Sequence, residues 1–137
     1  MSRLLCECGY VIYDHSLRLD YKARLISDQE VDDFFSWITN EIQEYVVAAQ
    51  EGRTGQWMLD KGFGKRYIDL GLDHGNVLHD YIYAKFLDKQ KDVYECMQCG
   101  RLHIERENNS FLSFFPKNSL FNALFKSIPS NPPIKEA

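Results

Sequence analysis

The longest run of helical hydrophobic periodicity lies in residues 28–51. Its apolar side chains recur at intervals of three and four, which places them on one face of a helix. The positions are Val31, Phe34, Phe35, Ile38, Ile42, Tyr45, Val46 and Ala49. Ser27-Asp28-Gln29-Glu30 has the form of a capping box, and Gly52 is a typical residue to follow a helix. The pattern predicts a helix from about residue 28 to residue 51.

A second helix is predicted to begin between residues 73 and 76 and to end near Asp88. Leu78, Ile82 and Phe86 follow each other at intervals of four. Lys85 and Lys89 would complement the negative end of its dipole. Six glycines punctuate residues 52–75, which favours a structured connection with a short element near residues 65–70.

Shorter patterns outside this region predict strands. Val93 and Tyr94 precede a turn and Leu102 and Ile104 follow it, as in a hairpin. Residues 10–13 also form a good strand, and residues 111–115 predict a strand or an extended segment. Asn118 is expected to cap a short helix that carries Leu120, Phe121, Leu124 and Phe125. Three of the four prolines fall between 129 and 133, so residues 129–137 are predicted to form a Pro-rich tail.

Composition and charge narrow the class of protein. The 137 residues are 45% hydrophobic and 26% charged, which fits one globular domain. No run approaches the roughly 18 to 20 apolar residues of a membrane span, and the first residues do not resemble a signal peptide. We therefore expect a cytoplasmic protein with no membrane association. The net charge is −4, and residues 14–92 alone carry −5, so a nucleic-acid partner is not expected.

The four cysteines form two close pairs, Cys6/Cys8 and Cys96/Cys99, with 87 residues between the pairs. Disulfides, in any of three connectivities, fit a secreted domain better than a cytoplasmic one. Two distant turns with two thiols each are typical of a structural zinc site. A glycine follows each pair, Gly9 and Gly100, where a knuckle often needs a positive φ. The remaining alternative is four buried free cysteines that act as small apolar residues.

With these pairs the sequence resembles the zinc-ribbon proteins, in which two knuckle-bearing hairpins bind one ion. The resemblance implies that Cys6, Cys8, Cys96 and Cys99 are ligands of a structural Zn²⁺. It departs from the usual pattern in the single-residue spacer of the first pair and in the long separation of the pairs.

The fold class that follows is α+β. A small antiparallel, zinc-ribbon-like part would contain a large α-helical insertion between the two knuckles. We predict one domain over residues 1–128, with knuckle halves at 1–13 and 93–115 and the insertion at 14–92.

Catalytic chemistry has little support in the sequence. There is no phosphate-binding loop, nucleophile elbow or triad motif, and four thiolates would leave a zinc ion without an open position. His74 and His79 form a candidate catalytic metal site, and His103 is an alternative zinc ligand. We interpret these and His15 as surface or hydrogen-bonded histidines and predict a non-enzymatic protein.

The predicted first helix carries seven acidic residues and no Lys or Arg. They indicate either a solvated face or a surface for a basic protein. In overall character the chain resembles bacterial immunity proteins. That resemblance implies an inhibitor that binds a basic toxin domain, such as that of a nuclease, with Asp32, Asp33, Glu41 and Glu44 as first contacts. The alternatives are a zinc-ribbon regulator of transcription or translation, and an enzyme that uses the helical histidines.

Overall fold

The computed structural model describes residues 2–127 of the chain. The predicted Pro-rich tail, 129–137, lies outside these residues. The fold is α+β, with four α-helices and two small antiparallel sheets in the described range. The chain divides into two compact units: residues up to 25 together with those from 91 onward, and residues 26–90. The prediction of a single domain over 1–128 stays a prediction.

The first unit contains all six described strands. β1 and β2 form a two-stranded sheet, and the other four form a sheet of order β3-β4-β5-β6, in which all neighbours are antiparallel. The strands are β1 (Ser2–Leu5), β2 (Val11–Asp14), β3 (Lys22–Leu25), β4 (Lys91–Glu95), β5 (Leu102–Glu105) and β6 (Phe111–Phe114). A 3₁₀ turn, Glu107–Asn109, precedes β6. The predicted hairpin and the strands at β2 and β6 are confirmed.

β1 and β3 were not predicted from the sequence. β3 lies inside residues 14–92, the range assigned to the helical insertion, yet it pairs with β4. Its sequence is Lys-Ala-Arg-Leu, and such charged residues on an edge strand prevent it from pairing with further strands. The same charges interrupt the hydrophobic alternation by which a strand is predicted from sequence. Lys22 lies opposite Tyr94, and its Nζ is 5.5 Å from the centroid of that ring. The side chain thus contributes its stem and its charge to a cross-strand contact.

The second unit is helical. It contains α1 (Asp28–Gln50), α2 (Thr54–Asp60), α3 (Lys65–Asp69) and α4 (His74–Lys89). The two long helices and the short element near 65–70 are confirmed. At the start of α1 the Glu30 amide donates to Ser27 Oγ at 3.3 Å, while the Glu30 carboxylate lies 3.1 Å from Lys89 Nζ. Asp73 caps α4 in the same way, at 2.8 Å from the Asn76 amide.

Aromatic and aliphatic side chains from three helices form the core of this unit. Its buried members are Tyr45, Ala48, Trp57, Met58 and Val77. The Tyr45 and Trp57 rings meet edge to face with centroids 4.8 Å apart, a favourable geometry for such pairs. Helix α2, which the sequence analysis treated as part of a connection, supplies Trp57 and Met58. No helix in the described range is long and apolar enough to cross a bilayer.

The helix predicted after Asn118 is wrong. Residues 116–127, here called the strap, contain turns and no helix. Ser119 and Ala123 have φ values of +47° and +52°, which a right-handed helix does not accommodate. The side chains of Asn118 and Asn122 bond to each other at 2.9 Å instead of capping a helix.

Candidate metal centre

Each cysteine pair lies in the turn of an antiparallel hairpin. Cys6 and Cys8 follow β1, and Cys96 and Cys99 follow β4. In the first turn the Gly9 amide donates to the Cys6 carbonyl at 2.9 Å, and in the second the Gly100 amide donates to the Cys96 carbonyl at 2.9 Å. The two glycines have φ values of +94° and +79°. The sequence-based expectation that both turns need a positive φ is confirmed.

The two turns bring all four sulfurs together. Every Sγ lies within 4.8 Å of the others. Cys6 Sγ is 3.6 Å from Cys99 Sγ, and Cys8 Sγ is 3.6 Å from Cys96 Sγ. A tetrahedral zinc with Zn–S bonds of 2.3 Å places its sulfurs about 3.8 Å apart. All four cysteines are free thiols. The arrangement is compatible with a bound metal ion.

The surroundings of the sulfurs disfavour an uncompensated negative charge. Cys6 and Cys96 are fully buried, and Cys8 and Cys99 are half-buried. Burial raises the pKa of Cys6 to about 12, although the backbone N–H of Cys8 acts in the opposite direction. Burial also raises the pKa of Cys96, against hydrogen bonds from two backbone amides of its own turn. A cation among the sulfurs would provide the charge compensation that buried thiolates need.

Cys99 differs because of Arg101. Burial acts to raise the pKa of Cys99, but hydrogen bonds from the backbone and side chain of Arg101 and from neighbouring thiols outweigh it and lower that pKa to about 7. Arg101 Nη1 lies 3.3 Å from Cys99 Sγ, and Nη2 lies 3.6 Å from a Glu7 oxygen. The guanidinium also stacks over the Phe115 ring at 4.3 Å. Arg101 is not among the residues predicted for the site, and its one sequence signal is a base two positions after a predicted ligand.

The strap packs against the second knuckle. A Cβ added at Gly100 would lie 2.0 Å from the Leu120 carbonyl oxygen, so a side chain has no space there. Glu95, the residue before Cys96, is 0% exposed. Its two carboxylate oxygens accept hydrogen bonds from the amides of Asn122 and Leu124, both at 2.8 Å. The knuckle and the strap thus share a buried carboxylate and a close backbone contact.

His103 does not join the cysteines. The metal-capable group in the described residues contains the four cysteines and no histidine. The ring is 2% exposed, lies opposite Ser113 on β6, and its Nδ1 is 2.6 Å from Ser113 Oγ. Burial lowers the pKa of His103, and the charge of Arg101 lowers it further. The alternative assignment of His103 as a metal ligand is not supported by this geometry.

His74 and His79 also remain outside any metal cluster among residues 2–127. His74 Nδ1 pairs with the Tyr45 hydroxyl at 2.6 Å, which ties the start of α4 to the core. His79 is exposed, 3.6 Å from an Asp80 oxygen, and its ring stacks on Tyr83. His15 is exposed and contacts the Tyr13 ring. These contacts are those of surface and hydrogen-bonded histidines.

The four acidic residues predicted to contact a partner do not share one environment. Asp32 and Asp33 are exposed near the start of α1. Glu44 is 56% exposed and lies 2.9 Å from Lys61 Nζ. Glu41 is only 12% exposed, is paired with Lys61 at 2.8 Å, and accepts a hydrogen bond from the Tyr81 hydroxyl at 3.1 Å. Glu41 therefore belongs to the internal contacts of the helical unit.

Bases from outside α1 offset part of the negative charge of α1 and of the residue that follows it. Lys61 pairs with Glu41 and Glu44, and Lys89 pairs with Glu30. Arg53 pairs with Glu51, directly after the helix. Among the described residues, Asp28, Asp32 and Asp33 make no ion pair. The uncompensated acidity of α1 is thus concentrated in its first two turns.

Comparison of the chain with curated proteins and with solved structures finds no match. One family model matches, and it covers residues 2–124, a range that includes both cysteine pairs, all four helices and most of the strap. The chain belongs to the family described as Domain of unknown function (DUF8617).

Proposed function

We propose that this chain is a non-enzymatic protein that is stabilised by one Zn²⁺ and acts by binding another protein. The convergence of Cys6, Cys8, Cys96 and Cys99 within 4.8 Å carries the proposal. Four thiolates complete the tetrahedral coordination of zinc and leave no position for a water or a substrate. Such an ion contributes to folding and not to catalysis.

The proposal includes a zinc-ribbon-like arrangement of the first unit. Both ligand pairs lie in hairpin turns, and each is followed by a glycine with positive φ. Backbone amides of both turns hydrogen-bond to the sulfurs, as a metal knuckle requires. Residues 26–90, which form their own compact unit, are then an α-helical insertion between the two knuckles.

The partner we propose is a basic protein, and the role is that of an inhibitor, as in an immunity protein that neutralises a toxin. Asp32 and Asp33 support this proposal, since they are exposed and make no ion pair with any residue in the range 2–127. Phe35, on the same stretch of α1, is 61% exposed. Exposed aromatic rings are enriched at protein interfaces, and charges around them steer a partner of opposite charge.

The test uses the protein that co-purifies with this chain from its own cells. Charge reversal by Asp32→Lys with Asp33→Lys should weaken that complex at least 100-fold, about 2.7 kcal/mol, because like charges then oppose each other across the interface. Isothermal titration calorimetry measures the change.

Asp69→Lys, a single exposed reversal on α3, makes half of that change in net charge and serves as the control. It should leave the affinity unchanged. Equal affinity of the double variant and this control would exclude the start of α1 from the interface. Failure to recover any stoichiometric protein complex would contradict the proposed function itself.

A further inference from the structure

A cleft of about 360 Å³ opens on the helical unit, between α1, α4 and the turn after α2. Its walls include the rings of Trp37, Phe63 and Tyr81, and charged side chains line its edge. All of these residues belong to the unit 26–90. The cleft shares no residue with the cysteine site.

The three rings form a continuous aromatic surface. The centroids of Trp37 and Tyr81 are 5.2 Å apart with planes inclined at 32°, and those of Phe63 and Tyr81 are 5.8 Å apart at 40°. All three side chains are half-buried, so part of each ring faces the cleft. The faces of such rings carry negative electrostatic potential and attract cations.

A cation of the chain itself already occupies this surface. Lys85 Nζ lies 5.3 Å from the centroid of the Trp37 ring, within the range of a cation–π contact. Among residues 2–127, Lys85 makes no ion pair. The primary ammonium sits on a flexible four-carbon stem, so another cation can replace it at small cost. The cleft therefore has the chemistry of a cation receptor.

The charges at its edge favour a positive ligand. Asp80 and Asp88 of α4 both line the cleft, and both are exposed. Asp88 makes no ion pair with any described residue. The other lining lysine, Lys61, is held by Glu41 and Glu44 at 2.8 and 2.9 Å, so that group of three carries one net negative charge. A cation that entered would meet an excess of carboxylates.

We infer that this cleft binds an arginine side chain of the basic partner, which displaces Lys85 from the Trp37 ring. The inference rests on the proposed function, because it takes a basic protein as the ligand. Arginine fits better than lysine, since its planar guanidinium stacks on aromatic rings and can bond a carboxylate with two parallel N–H groups. The aromatic walls and the free carboxylate of Asp88 offer both kinds of contact.

The test needs no partner protein. N-acetyl-arginine amide is titrated into the zinc-bound chain while the indole N–H signal of Trp37 is followed by NMR. Trp57 is 3% exposed and contacts the Tyr81 ring from the core side, so its signal should shift less than that of Trp37. We expect a saturable shift of the Trp37 signal, with affinity in the millimolar range that suits a ligand of this size. N-acetyl-citrulline amide has the same shape without the charge and should give no saturable shift.

Point variants distinguish binding in the cleft from a general effect of the net charge on affinity. Lys85→Met removes the resident cation and should strengthen arginine amide binding roughly two- to fivefold, the value of one exposed cation–π contact. Asp88→Asn should weaken it by a similar factor. Lys65→Met, an exposed lysine on α3, is the matched control and should change nothing beyond its small effect on net charge.

Two results would overturn the inference: equal shifts with the arginine and citrulline amides, or equal affinities of Lys85→Met and Lys65→Met. Neither result would contradict partner binding through Asp32 and Asp33, which has its own test. Conversely, saturable arginine amide binding by a chain that recovers no protein complex would contradict the proposed function and not the binding of a guanidinium group in the cleft.

Discussion

Gly100 meets two separate constraints, a positive φ and a carbonyl oxygen 2.0 Å from where its Cβ would lie. We predict that Gly100→Ala lowers the free energy of unfolding by about 3 kcal/mol or more. A left-handed alanine costs roughly 1–2 kcal/mol, and forcing the Leu120 backbone away adds a packing cost of similar size. Urea unfolding with saturating zinc measures the loss.

Gly9 provides the matched control. Its φ of +94° imposes the same conformational cost, but a Cβ there would have nothing within 4 Å. Gly9→Ala should therefore lose only about 1–2 kcal/mol. Equal losses at the two positions would mean that the strap does not press on the second knuckle.

The buried side chain of His103 should make the stability of the fold depend on pH. Burial lowers the pKa of His103 in the folded chain, whereas in the unfolded chain it returns to about 6.5. Below that pH the unfolded state takes up a proton that the folded state does not, so stability falls as the pH decreases towards the folded pKa. The slope should approach about 1.4 kcal/mol per pH unit at most. Urea unfolding between pH 7.5 and 5.5 measures it.

A non-titrating variant isolates this effect from other groups. His103→Gln should remove the His103 contribution and so reduce the slope, leaving the part that comes from protonation of the proposed zinc ligands. His79→Gln, at a side chain that is 72% exposed, should keep the full slope. A folded-state pKa of 6.5 or above for His103, measured by NMR, would contradict the prediction.

At the residue scale, the sequence predicts the cysteine group because its signal is local. Two close thiols followed by a glycine are a typical local pattern of a metal knuckle. Glu95 carried no such signal, since its role depends on contacts with distant residues. Arg101 was marked only by its position two residues after Cys99. Glu95 bonds amides 27 and 29 positions away, and no periodicity identifies such partners.

At the scale of elements, the strap depends on Glu95. Glutamine has one acceptor oxygen and would turn its NH₂ group towards one of the two backbone donors. We predict that Glu95→Gln lowers the free energy of unfolding by roughly 2–4 kcal/mol, because a charge-assisted bond is lost and a buried donor is left unpaired. Limited trypsin digestion followed by mass spectrometry should show faster cleavage after Lys117 and Lys126, both in the strap.

Glu107→Gln makes the same charge change on an exposed turn and should leave the cleavage rate unaltered. If both variants are cleaved at the rate of the unmodified chain, the carboxylate does not hold the strap.

The elements that the sequence predicts are the long, strongly periodic ones. α1 and α4 each extend over four or more turns, and their caps are visible in Ser27 and Asp73. α2 has seven residues and contains Gly55, so it lacks a helical signature. The charged residues of β3 interrupt the hydrophobic alternation that would predict a strand. The helix predicted after Asn118 does not form, because tertiary contacts of this segment override the local capping signal.

For the whole molecule, the proposed zinc gives the broadest prediction. Elemental analysis of the reduced, folded chain should find one zinc per chain, and Cys8→Ser or Cys96→Ser should each abolish stable retention of it. A strong chelator should lower the thermal midpoint substantially, since structural zinc contributes on the order of 10 kcal/mol in small domains. A Ser113→Cys variant, which adds a thiol on β6, should keep one zinc.

The absence of bound zinc from natively purified chain would contradict this assignment. Retention of zinc by both serine variants would contradict the four-cysteine ligand set. In either case the chain would lack the closed coordination sphere that excludes a water or a substrate from the ion.

The separation of the cysteine pairs by 87 residues also affects the order in which the chain folds during its synthesis. During synthesis the first hairpin emerges with only half of the proposed ligands, and the proposed ion cannot be fully enclosed until Cys99 has left the ribosome. The helices at 26–90 have local contacts and can fold during that interval. Once folded, they shorten the flexible path between the ligand pairs and reduce the entropy lost on closing it. The order of translation thus favours helices first, metal capture second, and the strap last.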